Sequence, residues 1–77
     1  MNFTAIHNRQ GHAVHLLVAL YDDQQYFVVE LPPGRAYNIE VSLLSNARLF
    51  IAETREEISE MIRGLDPTFR RTKSRMS

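Results

Sequence analysis

Cysteine is absent from this 77-residue sequence. Neither a disulfide nor a thiolate zinc site can therefore support the fold. Long apolar runs are absent too. The longest, Leu16 to Tyr21, has the length of a strand, whereas a membrane-spanning helix needs roughly 18 apolar residues. The opening MNFTAIHNRQ has neither the basic start nor the apolar centre of a secretory signal. These absences together place the expected location in the cytoplasm, with no membrane partner. Glycine is scarce and scattered, at Gly11, Gly34 and Gly64, so no glycine-rich loop is available to cradle a phosphate chain. Ser42, Ser45 and Ser59 stand in no strained strand-to-helix nucleophile pattern. The expectation is a non-enzymatic protein with no cofactor.

Net charge is also missing, with nine basic and nine acidic side chains. That balance hides a split along the chain. Residues 1–66 carry five arginines against nine carboxylates, a formal charge of −4. Residues 67–77 carry Arg70, Arg71, Lys73 and Arg75 and no acid, a formal charge of +4. At this length one domain is expected, burying only about 60% of its unfolded surface. The apolar content, 44%, is too high for a fully disordered chain.

Hydrophobic periodicity gives the expected elements. NFTAIH reads as a short strand and NRQGH as a turn. AVHLLVALY is apolar without alternation at Val14, Leu16, Leu17, Val18 and Leu20. Such a run suits a strand covered on both faces, or a buried helix segment. DDQQ reads as a turn, YFVVEL as a strand, and PPG as its stop, since proline offers no donor to a ladder. AYNIEVSL alternates cleanly, with Tyr37, Ile39, Val41 and Leu43 on one face. SNA is a turn and RLFIA a further strand.

TREEISEMIRGL is the one expected helix. Thr54 and Glu57 form a Thr-x-x-Glu capping box, and Ile58, Met61, Ile62 and Leu65 make an apolar stripe with helical spacing. Ile62, mid-stripe, is the expected anchor. Gly64 weakens the last turn and Pro67 ends it. The expected fold is α+β: a small curved antiparallel sheet of four to five strands with one C-terminal helix packed on it. A five-strand barrel with a terminal helix is the alternative. The expected domain is 1–66, followed by a flexible basic tail at 67–77.

Three histidines, His7, His12 and His15, are candidates for metal ligation, but His12 and His15 fall on opposite faces of an extended chain, and no cysteine or carboxylate completes a set. Asp22 and Asp23 suit a hairpin turn better than acid–base work. Glu53, Glu56, Glu57 and Glu60 make an acidic patch. It is read as a solvated helix face with Glu60 paired to Arg63 or Arg48, or else as a surface for a basic partner or for the protein's own basic tail. At the C-terminal end, Phe69, Arg70, Arg71, Lys73 and Arg75 are the candidate partner-binding residues. Lys and Arg that meet phosphate release counterions and add salt-sensitive affinity. Phe69 can stack on a base or fill a pocket.

The body YFVVELPPGRAYNIEVSLLSNARLFIAETREEISEMIRGL with the tail FRRTKSR resembles, in size, layout and sequence character, the small host-takeover proteins of bacteriophages. Among these it looks most like the RNA polymerase-binding transcription regulators, viral proteins that inhibit initiation or act in antitermination. The resemblance implies a host cytoplasmic location. It also implies a protein–protein interface on a large polymerase subunit, close to where nucleic acid enters or leaves. It assigns no individual contact residue. RLFIAE followed by TREEISEMI also resembles the strand-to-helix ending of the carbon-storage-regulator RNA-binding proteins. The alternative functions are an inhibitor of another host machine, such as a CRISPR complex, and a stand-alone RNA- or DNA-binding regulator.

Overall fold

A computed structural model describes residues 2–72. Six strands, one α-helix and one 3-10 turn follow in chain order: β1 (Phe3–His7), β2 (Val14–Leu20), β3 (Gln25–Leu31), β4 (Ala36–Glu40), the 3-10 turn (Val41–Asn46), β5 (Ala47–Ala52), α1 (Arg55–Arg63) and β6 (Arg70–Arg71). The fold is α+β, as a run of strand patterns followed by one helix pattern implies. Its sheet arrangement differs from the single antiparallel sheet expected. β1 pairs only with β4, from Phe3 opposite Glu40 to His7 opposite Ala36. The other four strands form a mixed sheet in the order β5-β2-β3-β6, with β6 parallel to β3. The sheets do not close into a barrel.

The unalternating run in β2 has a direct structural cause. β2 is the inner strand between β3 and β5. Leu16, Val18 and Leu20 point to one side, into a core shared with Phe27 and Ile39 and flanked by Ile6, Tyr37, Leu43 and Leu44. Leu17 points to the other side, against Ala52 of β5 and Ile58 of α1. Successive side chains on a strand face opposite ways, so where β1–β4 cover one face and α1 the other, from Leu16 to Leu20, the strand is apolar at every position.

The strand expected over AYNIEVSL ends at Glu40. Val41–Asn46 turns into the 3-10 segment, and the turn expected at SNA is absorbed into it. Leu43 and Leu44 are the reason. An extended chain would send these adjacent side chains to opposite faces, whereas the coiled segment packs both against the first core.

Two polar devices hold the turns. Asn8 is 4% exposed. Its side-chain amide donates to the carbonyls of His12 (2.9 Å) and Leu31 (2.8 Å), and its Oδ1 accepts from the Gln10 amide (2.9 Å). Its backbone N–H donates to the Arg35 carbonyl at 2.8 Å, and its carbonyl accepts from Gly34 at 3.0 Å. The residue read only as part of a turn thus ties the β1–β2 loop to the β3–β4 loop. Gly34 has φ +77° and follows two prolines. The Arg35 amide donates to the Pro32 carbonyl at 3.2 Å, a turn whose third residue needs a left-handed backbone.

The helix begins as its cap implies, with the Glu57 amide donating to Thr54 Oγ1 at 3.2 Å. The reciprocal half differs: the Glu57 carboxylate accepts from the Thr54 hydroxyl at 3.4 Å instead of reaching the Thr54 amide. The expected anchor also shifts by one turn. Ile58 is 6% exposed and belongs to the second core, while Ile62 is only half-buried. Ile58→Ala is therefore expected to cost about 2–4 kcal/mol, and Ile62→Ala distinctly less. Denaturant unfolding of both variants checks the order, and an equal or larger loss for Ile62 would refute this orientation of the helix.

Beyond the helix, the Asp66 side chain accepts from the amide and the hydroxyl of Thr68, both at 2.9 Å. The amide bond foremost, then the hydroxyl, holds its carboxyl below the usual carboxylate range. The Phe69 amide closes a turn onto the Asp66 carbonyl at 2.9 Å. The helix stops at Arg63 with Gly64 as its C-cap, ahead of the expected stop at Pro67, and the chain does not leave the fold after Asp66. The Arg70 amide donates to the Gln24 carbonyl at 2.9 Å, and the Thr72 amide to the Tyr26 carbonyl at 2.8 Å. Part of the expected tail is thus an edge strand. No helix among the described residues is long and apolar enough to cross a membrane.

Candidate functional site

α1 packs across β2 and β5. The helix-side face of β3 is therefore only partly covered, and a groove of about 400 Å³ lies between α1, β3 and β6. Its floor is apolar: Val28 from β3, with Ile58 and Ile62 from α1. Its rim is polar: His15, Glu30, Arg55, Ser59 and Arg71. Helical spacing brings Arg55, Ser59 and Ile62 onto one flank of α1. His15 stands directly opposite Glu30 in the β2–β3 ladder. Arg71 stands beside Tyr26 in the parallel β3–β6 pair.

The five expected partner-binding residues do not form one patch. Arg70 pairs with Gln25 and Arg71 with Tyr26, and alternation sends their side chains to opposite faces. Arg71 opens to the helix-side groove. Phe69 is half-buried and packs edge-on against Tyr21, ring centroids 5.2 Å apart at 81°. The Arg48 guanidinium lies over the same Tyr21 ring, 5.8 Å from its centre. Phe69 is thus engaged within the chain at the β2–β3 turn. Lys73 and Arg75 lie outside the described residues.

The other sequence candidates separate as well. The one ion pair among the described residues joins His12 Nε2 to Glu53 Oε1 at 3.7 Å. The expected pairing of Glu60 with Arg63 or Arg48 is not formed. Arg63 Nε donates to the Ser59 carbonyl at 3.4 Å, and Arg48 is committed to Tyr21. Asp22 accepts from the Asn46 side chain at 2.8 Å, which ties the β2–β3 turn to the 3-10 segment. Among the described residues no group of three His, Asp or Glu side chains is arranged to hold a metal ion.

Sequence reasoning did not single out Arg55, and it weighed His15 only as a candidate metal ligand. Neither has a local signal linking it to Arg71. It also missed a smaller recess of about 190 Å³ between the end of β1 with the loop after it, β2, β3 and Ile51 of β5. Ile6, Val14, Leu16, Leu31 and Ile51 line it, and Ile51 is 57% exposed. Ile51 alternates with Phe50, so a solvent-facing isoleucine in RLFIA was legible only as a member of the strand. Comparison with protein-family models, curated proteins and solved structures finds no match.

Proposed function

We propose that the protein is a small non-enzymatic regulator that docks on a host protein complex, RNA polymerase first, and contacts nucleic acid through its basic C-terminal end. It would act on transcription by inhibiting initiation, by antitermination, or by both. The observation that carries this reading is the charge split together with its placement. The body is acidic by four charges, yet the first basic residues of the end are fastened to the sheet at β6. Arg71 there joins Arg55 and His15 on the rim of one groove. Neither Arg55 nor Arg71 forms an ion pair with a described residue. Guanidiniums without an ion-pair partner among the described residues, one on a helix and one on a sheet edge, suit contact with phosphate.

Binding in preference to catalysis is supported by where the hydroxyls point. Ser45 donates to the Ser42 carbonyl, Thr54 caps α1, and Thr68 bonds Asp66. None of these hydroxyls is hydrogen-bonded to a histidine. The open edge of β5, with Ile51 exposed beside it, is the surface assigned to the protein partner. An unpaired strand edge offers backbone donors and acceptors to a partner's strand.

The test is co-purification with RNA polymerase, followed by promoter-dependent initiation and terminator-readthrough assays. The expected result is a stable complex and a change in at least one of the two activities. A protein that fails to co-purify and leaves both activities unchanged would overturn the reading in favour of another host target.

A further inference from the structure

The groove beside α1 has a composition that an ordinary surface cleft does not need. Two guanidiniums, Arg55 and Arg71, reach its rim from a helix and from a strand far apart in sequence. Neither is hydrogen-bonded or ion-paired to a described residue. His15 and the Ser59 hydroxyl add neutral donors at the same rim. One carboxylate, Glu30, is also present, so the charged side chains there sum to a single positive charge with His15 neutral. The floor of Val28, Ile58 and Ile62 is apolar. The lining as a whole is mainly polar, and the space of about 400 Å³ has the size of a small-ligand site.

We propose that this groove is a binding site for a phosphate group, held by Arg55 and Arg71 with His15 and Ser59 as further donors, while the apolar floor carries the organic part of the ligand. Guanidinium forks match phosphate oxygens in geometry, and these charge-assisted bonds are among the strong ones. A base or another flat apolar group fits against Val28 and Ile62. Glu30 opposes the anion and sets the affinity below what two free arginines would give. The site deepens the functional reading above, because it gives the basic end a seat for nucleic acid. It is nonetheless a property of the isolated chain, so it can fail while polymerase binding stands, and the reverse.

The phosphate can come from a nucleic-acid backbone or from a free phosphomonoester, and the probes separate the two. Inorganic phosphate, adenosine monophosphate and a short single-stranded oligonucleotide are each titrated into the full chain. Amide and side-chain NMR shifts of His15, Arg55, Ser59 and Arg71 are followed. The expected result is saturable shifts centred on these residues. Arg55→Gln and Arg71→Gln should each weaken binding about tenfold. Glu30→Gln should tighten it by about threefold, because it removes the opposing charge. Arg35→Gln, in the turn before β4, should leave it unchanged. All these side chains are exposed, so spectra away from the groove should show an unaltered fold. Tighter binding of the oligonucleotide assigns the site to a nucleic-acid backbone. Tighter binding of the monophosphate assigns it to a free phosphomonoester. Two results would overturn the proposal: no shift at the groove with any probe up to about 10 mM, a weak-binding limit, or an equal loss from Arg35→Gln and Arg71→Gln.

Discussion

Leu17→Ala is expected to destabilise the protein by about 3–5 kcal/mol. Leu17 is wholly buried, on the face of β2 that meets Ala52 and Ile58. It is held between β3 and β5 through the ladder, opposite Val28 on one side and Phe50 on the other. The backbone there is fixed on both sides, so the cavity left by truncation cannot collapse easily. A domain of this length has a total stability of about 4–12 kcal/mol. The variant is therefore expected to lose a large share of its stability, and to be largely unfolded at room temperature only if the parent lies at the low end of that range. Urea unfolding at unchanged m-value measures the loss. A change below about 1 kcal/mol would contradict the two-sided burial of β2.

Asn8→Ala is the second large effect, expected at about 2–4 kcal/mol. The substitution removes a buried amide that satisfies the carbonyls of His12 and Leu31, together with the oxygen that accepts from Gln10. Those groups sit where two loops meet, so water regains them only if the loops part. Asn8→Asp separates this mechanism from simple volume loss. A carboxylate fills the same space but cannot donate to two carbonyls. Burial beside them raises its pKa in the folded state above the unfolded value. The cost is then smallest below the unfolded carboxylate pKa, near 4, and grows as pH rises from there toward the folded value. Stability of Asn8→Asp should improve on going from neutral pH to about pH 4, relative to the parent protein, and Asn8→Ala should show no such gain. Equal pH profiles for the two variants would contradict the donor role of the Asn8 amide.

Local signals and long-range ones differed in how much of this could be seen beforehand. The apolar run Leu16–Leu20 of β2 announced an element buried on both sides, strand or helix, and Thr54 with Glu57 announced the start of α1. Both are local, because they depend on an apolar run within one segment and on a cap spanning four residues. The pairing of β1 with β4 was not legible. It joins segments separated by the whole β2–β3 hairpin, and nothing in the periodicity of either strand names its partner. β6 consists of two arginines, a composition that reads as solvated chain. It becomes a strand only because the Asp66–Thr68 turn delivers it to the open edge of β3. The apolar stripe of α1 was visible, but periodicity makes Ile58 and Ile62 equivalent. The sheet beneath decides between them, since β2 and β5 lie under Ile58 whereas Ile62 borders the groove. The candidate site was half legible. Arg71 stood out by charge, while Arg55 and His15 join it only through the fold.

The most direct test of the central claim is the salt dependence of affinity for RNA polymerase bearing nucleic acid. The comparison is between the parent protein and a variant with Arg70, Arg71, Lys73 and Arg75 replaced by alanine. A docked body with a phosphate-contacting end predicts that the variant still binds, more weakly at low salt. Its plot of log affinity against log salt should be shallower by about 0.7–0.9 for each residue that engages phosphate. Parallel plots of equal affinity, or the absence of any binding by the parent protein, would contradict it.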